Sequence, residues 1–330
     1  MNPATRARPT AIGLLLVAIV AACGASTGDL GSVAAPAITH QPPTTVPTAV
    51  PATGAPTQLT GSSQTPAATP GPTSKPAPSA TPAPAGTTTV RVYYFLGSFV
   101  DNAGLVPVLR QVPKTQSVGA AAIAALLAGP DADELGARPA MYTVIPAATR
   151  FLGLHIDAGV ATVDLSREFE SGGGSASVLG RLAQVVYTLT QFPSVTGVRF
   201  ELDGEPVTVF SGEGVLLDAP VDRSDYTDQL PAVFVDRPAW GGILGNPARL
   251  VGMANTFEAT FHVKIVDAGG RAVADVPAMA TCGTGCWGTF DVTVPYAVAS
   301  AGWGTLQVYV LSAADGSVEN LTEYPVWLTP

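Results

Sequence analysis

The sequence has little cysteine, little histidine and few basic side chains, and each shortage removes a class of chemistry. Three cysteines and three histidines are spread over 330 residues. Only His155 and His262 fall in stretches patterned to fold, so a hydrolytic site built on a histidine base has two places to stand. No Gly-x-Ser-x-Gly elbow joins a strand to a helix, and neither a phosphate-cradling Gly-Lys loop nor a His-Glu-x-x-His motif occurs. Sixteen Lys and Arg against 25 Asp and Glu give a formal net charge of −9. From Thr87 onward, 13 basic side chains against 24 acidic ones leave −11, a surface that repels nucleic acid phosphates and anionic lipid headgroups. No apolar run is long enough to span a bilayer.

The longest such run, Ala11 to Ala22, is instead the right length for a secretory signal core. Arg6 and Arg8 precede it, and small residues end it, so residues 1–22 read as a signal peptide. Val20-Ala21-Ala22-Cys23 resembles the bacterial lipobox, which implies that Cys23 takes a diacylglyceryl group, and further acylation such as palmitate, and becomes the mature N-terminus. Two or more acyl chains anchor a protein stably, so the expected location is extracytoplasmic, attached to the cell membrane by an N-terminal lipid. The alternative is an ordinary secretory signal that contains a cysteine.

Residues 23–86 form a second kind of sequence. Gly24 to Gly86 holds thirteen prolines and only two charged residues, Asp29 and Lys75. This composition buries too little apolar surface to offset its chain entropy, so it predicts a disordered Pro/Thr/Ala-rich tether. Fully extended at about 3.1 Å per residue it would reach on the order of 190 Å.

From Thr87 the pattern becomes periodic. Val90–Phe95 and Leu105–Val112 predict strands, with Pro107 suited to an edge. Ser117 is positioned to cap a helix carrying Val118, Ala122, Ile123, Leu126 and Leu127, which Gly129-Pro130 stops. Phe151–Ile156 and Val160–Leu165 predict a hairpin across Asp157-Ala158-Gly159. Val178, Leu182, Val185, Val186 and Leu189 make one apolar stripe on a second helix ended by Pro193, and Asp203-Gly204 turns Val198–Leu202 into a last hairpin. Two helices on a mixed β-sheet, an α+β domain over 87–211, is the simplest packing.

Four segments in this stretch, Leu105–Arg110, Leu126–Pro130, Val163–Ser166 and Val185–Thr190, resemble in order and spacing the GerMN domain of sporulation and spore germination proteins. The resemblance covers about Val90 to Phe210. It implies an extracytoplasmic, membrane-attached protein of a family not known for catalysis, whose fold is similar to that of modules that assemble into envelope-spanning complexes.

Residues 212–230 are acidic and polar and read as a linker. Over 231–330 short alternating segments recur with no helical period: Val233–Asp236, Arg249–Met253, Glu258–Val266, Ala278–Thr281, Gly288–Val294, Thr305–Leu311 and Tyr324–Leu328. They predict an all-β sandwich. Val251–Ala259, Gly288-Thr289-Phe290 and Pro325–Leu328 resemble the immunoglobulin-like domain of bacterial spore germination, without the Cys…Trp…Cys core of true immunoglobulins.

Candidate chemistry is sparse. His155 and His262 alternate away from apolar neighbours and read as solvent-facing strand residues. Asp157 with Asp164, or Asp131, Asp133 and Glu134, would need a cleft or a calcium loop, and Asp131–Glu134 reads better as a solvated acidic loop. Cys282-Gly283-Thr284-Gly285-Cys286 admits a disulfide that rigidifies the loop beside Trp287, a free dithiol, or a metal site that lacks further ligands in sequence. Trp240, Trp287 and Trp303 are either sandwich packing or a glycan-stacking surface. No catalytic, cofactor or metal-binding residue is assigned. The expected function is that of a non-catalytic, lipid-anchored envelope protein presenting both domains to protein or cell-wall partners, peptidoglycan included. The alternatives are a glycan or small-ligand sensor accompanying a membrane kinase and, further off, a cell-wall hydrolase.

Overall fold

The computed structural model describes residues 86–98 and 102–330. The expected signal peptide, Cys23 and the tether up to residue 85 lie outside them. The described residues fall within a single compact unit.

The first half is built around two sheets and two main helices. β1 (Thr87–Gly97) pairs antiparallel with β2 (Asn102–Pro113), and β3 (Met141–Tyr142) adds on the other side of β1. Residues 92–96 of β1 are all buried, as a continuous β-branched and aromatic run requires when both of its faces are covered. α1 (Val118–Leu127) and the single-turn α2 (Ala132–Gly136) follow. Ser117 sits at the N-cap of α1, but its side chain makes no capping bond; its backbone N–H donates to Thr115 Oγ1 at 3.1 Å. Gly129 ends the helix with φ +80°, a conformation open to glycine.

β4 (Phe151–Asp157) and β5 (Val160–Leu165) form the expected hairpin. Its two turn residues, Ala158 and Gly159, have φ of 47° and 85°, the mirror-image turn whose twist matches the strands. α3 (Ser175–Leu189) then crosses over so that β6 (Gly197–Leu202) lies parallel to β5, and β7 (Glu205–Pro206) folds back through Asp203-Gly204. The apolar stripe of α3 is fully buried. Its other side is buried too: Arg181, Gln184, Tyr187 and Thr188 are each at most 1% exposed. A second cover therefore lies over the helix face that the periodicity would leave to solvent. Part of it is the segment read as a linker. There β8 (Val209–Phe210) pairs with β9 (Val215–Leu216), and a 3-10 turn at Arg223–Gln229 packs on α3.

The second half is a β-sandwich. β10 (Val233–Arg237), β12 (Ala248–Ala254) and β15 (Gly288–Val294) form one sheet. The other has the order β11-β17-β16-β13-β14, from β11 (Ile243–Leu244), β13 (Thr260–Asp267), β14 (Ala272–Met279), β16 (Gly302–Leu311) and β17 (Val318–Leu328). The fourth expected strand is displaced: β14 runs over 272–279, not 278–281. It is an edge strand carrying Pro277, so its Ala- and Pro-containing sequence lacks the β-branched density that marks a central strand. Glu258 leaves the expected strand for a short 3-10 turn.

Candidate functional site

The polar groups predicted from the sequence do not converge; a different set does, where the two halves meet. Tyr93 on β1 is 0% exposed, and its hydroxyl donates to Asp236 Oδ1 on β10 at 2.6 Å. Arg223 closes the arrangement. Its Nη2 donates to Tyr93 Oη at 3.0 Å and to the Tyr187 carbonyl at 3.1 Å, its Nε donates to Thr190 Oγ1 at 2.9 Å, and its Nη1 lies 3.4 Å from Asp236 Oδ1. The guanidinium also rests over the Tyr187 ring at 4.7 Å, and Arg91 approaches the other Asp236 oxygen at 3.7 Å. Phe234 packs edge-on against Tyr187 beneath this network. Burial, reinforced by Asp236, pushes the Tyr93 phenol up to about 12, so it stays a donor at any physiological pH.

Backbone contacts continue the junction. The Trp240 N–H donates to the Pro107 carbonyl at 2.8 Å, and Val108 bridges Trp240 in parallel. The edge that Pro107 marks on β2 is thus covered at this point by the second half. Gly104, at φ +94°, lies so close to Pro231 that a Cβ there would collide with the proline backbone.

Each predicted residue has a definite place. His155 is exposed on β4, at a shallow cleft of about 300 Å³ whose lining includes no carboxylate to orient it. His262 is not solvent-facing as expected. It is half-buried, stacked on Tyr309 at 5.1 Å, with Nδ1 3.5 Å from Asp275 Oδ1, because neighbouring strands cover it. Tyr309 donates to the same Asp275 oxygen at 2.9 Å; burial and that bond push its phenol up to about 12, which leaves a protonated hydroxyl and a poor nucleophile.

Asp157 and Asp164 sit at opposite ends of the β4–β5 hairpin. The four-residue stretch of β5 between their levels is about 13 Å long, beyond the reach of a paired-carboxylate mechanism. Asp131 and Asp133 are exposed, but the stretch is a capped helical turn, not a loop, and Glu134 is buried. Asp131 and Glu134 form a reciprocal capping box on α2, and Glu134, 6% exposed, takes a two-pronged contact from Arg110 at 2.7 and 2.5 Å. The box could have been read from Asp131 and Glu134, three residues apart; the Arg110 partner, 24 residues away, could not.

Cys282 and Cys286 have Cα atoms 5.9 Å apart, inside the range a disulfide spans. The tryptophans do not form one patch. Trp240 is held at the junction beside Tyr324, Trp287 packs on the core, and Trp303 meets Trp327 edge-on at 5.6 Å beside a cleft of about 340 Å³. Among the described residues, no three His, Cys, Asp or Glu side chains gather as a metal site would require, and no helix is long and apolar enough to cross a membrane.

Comparison with known proteins follows this division. Residues 91–208 match the family described as sporulation and spore germination (Germane), and residues 232–317 match the immunoglobulin-like domain of bacterial spore germination (Gmad2). A search of curated proteins finds no match. Among solved structures, the first GerMN domain of the sporulation protein GerM from Bacillus subtilis is 21% identical, covering 42% of this chain and 100% of that one, with a TM-score of 0.35. The tandem GerMN domains of the same protein are 16% identical, covering 63% of this chain and 61% of theirs, also at 0.35. The chain therefore carries a region of the sporulation and spore germination (GerMN) family over 91–208, followed by one of the immunoglobulin-like family of bacterial spore germination over 232–317.

Proposed function

We propose that this protein is a lipid-anchored, non-catalytic docking protein of the cell envelope, whose two domains meet their partners as one rigid body. The observation that carries the proposal is the Tyr93–Asp236–Arg223 junction. A charged group buried between domains is costly unless fully paired, and here every member has a partner across the boundary. Such a junction fixes one relative orientation, which suits a surface that spans both domains. In this reading Cys23 carries the lipid, residues 23–86 are the tether, and Cys282 and Cys286 form a disulfide that stiffens the loop before Trp287. Sporulation, germination or envelope signalling would supply the setting. The absence of an orienting carboxylate around His155 and the protonated phenol beside His262 argue for docking over hydrolysis.

A glycan-reading role is the second reading, favoured by the Trp303–Trp327 pair at its cleft. In-cell crosslinking of the native protein, with Cys23→Ala as the control, tests the first. Recovery of one membrane or envelope protein, lost in Cys23→Ala, is the expected result. Recovery of glycan fragments alone, reduced by Trp303→Ala, would transfer the assignment to cell-wall binding. Metabolic palmitate labelling that persists in Cys23→Ala would remove the anchor.

A further inference from the structure

An exposed apolar tip on the second domain is held in a conformation that local chemistry alone opposes. Between β12 and β13, Phe257 is 58% exposed, and Met279 at the end of β14 is 64% exposed. The two residues after Phe257, Glu258 and Ala259, have φ of 54° and 60°, the left-handed region that non-glycine residues rarely occupy, let alone in succession. The adjacent loop pins them there. Glu258 N–H donates to Thr284 Oγ1 at 2.9 Å, Thr284 N–H donates to the Thr256 carbonyl at 2.8 Å, and Ala280 N–H donates to the Ala259 carbonyl at 2.9 Å. Gly283 packs directly on the Ala259 backbone, where a Cβ would collide. Strain retained by surrounding contacts around an exposed aromatic is the pattern of a preorganised anchor.

The first domain carries a matching recess. Residues 135–140, the last turn of α2 and the segment after it, line a cleft of about 370 Å³. Leu135 is 58% exposed on it, and Arg138 is exposed with no ion pair among the described residues. The helix that supplies Leu135 and Gly136 is itself held by the Asp131–Glu134 capping box and the Arg110 contact. The only charged residue of segments 255–260 and 279–287 is Glu258, and the only one lining the cleft is Arg138.

We propose that Phe257 of one copy seats in the 135–140 cleft of a second copy, with Glu258 facing Arg138. The two surfaces lie on different domains, so the contact is head-to-tail: each copy offers one tip and one cleft, and association continues until a rotation closes it. The rigid junction between the domains keeps tip and cleft in a constant relation, which repeated docking requires. A carboxylate beside Phe257 and a net charge of −9 disfavour a lipid surface as the occupant. The proposal deepens the docking reading by naming one partner, and its failure would leave the crosslinking result for other partners to stand or fall separately.

The test is sedimentation velocity of the full chain in detergent over a wide concentration range. The expected result is concentration-dependent association, lost in Phe257→Ser. E258R and R138E should each weaken association on the order of tenfold, and the chain carrying both should regain most of it. All three positions are exposed, so unchanged thermal midpoints confirm that the variants fold. A monomer at every concentration overturns the proposal, as does association indifferent to Phe257. Phe257-dependent binding of the monomer to phosphatidylcholine vesicles would assign the tip to lipid instead.

Discussion

The junction and the tip use aromatic and charged side chains in opposite ways. At the junction, Tyr93, Tyr187 and Phe234 are at most 1% exposed, and the charges of Arg223 and Asp236 are shared among several partners. At the tip, Phe257 stands in solvent and the neighbouring Glu258 makes no ion pair among the described residues. The backbone differs as well, since Tyr93 and Asp236 sit on regular strands while the tip places two L-residues in succession in the left-handed region. A satisfied buried network contributes stability and fixes orientation. An exposed apolar residue followed by a strained backbone contributes neither and makes sense as a contact for something else. The first region holds the molecule together; the second is available to a partner.

Substitutions should separate the two regions by size of effect. Asp236→Ala removes the acceptor of Tyr93 and the counter-charge of Arg223 and Arg91 together. It should cost about 3–5 kcal/mol in denaturant unfolding. Alkali should act on the same group: the folded Tyr93 phenol titrates near 12 against 10.0 unfolded. Because the folded value is raised, the contribution is intact below pH 10 and is lost as the pH climbs toward 12. The loss should be roughly 2–3 kcal/mol, and Tyr93→Phe should flatten that part of the stability curve. At the tip the sign reverses. Ala259→Gly relieves a left-handed alanine and should raise stability by about 0.5–1 kcal/mol, read as a higher denaturant midpoint. Phe257→Ser should change stability by less than about 0.5 kcal/mol while abolishing association.

Much of each domain is legible in sequence because its signals are local. The turns at Ala158-Gly159 and Asp203-Gly204, the stripe of α3 and the stop at Gly129 each depend on residues close together in the chain. What sequence hides is set by distance. Tyr93 and Asp236 are 143 positions apart, and nothing in either strand marks the other. The periodicity of α3 shows one apolar face. The cover on its opposite side comes from the 3-10 turn at Arg223–Gln229 and from the β1 carbonyl of Tyr93, which accepts from Gln184 Nε2 at 2.8 Å. Arg181 illustrates the same limit. It is 1% exposed with no carboxylate partner among the described residues, and its donors go to the carbonyls of Phe169, Ser171, Gly172 and Ser177 and to the Ser177 hydroxyl. A charged residue on an apparently polar helix face gives no hint of that fate. The pairing of Trp327 with Trp303 is hidden for a related reason, since it exists only when the register of β16 and β17 sets the two opposite each other.

The central claim is that the two domains form one rigid body, and the distribution of chromophores offers a direct test. All four tryptophans lie in the second half, at 240, 287, 303 and 327, whereas every α-helix among the described residues lies in the first. Denaturant unfolding followed at once by tryptophan fluorescence and by helical circular dichroism therefore watches each half separately. The account predicts coincident transitions in the native protein that part in Asp236→Ala. Two separated midpoints in the native protein would contradict it.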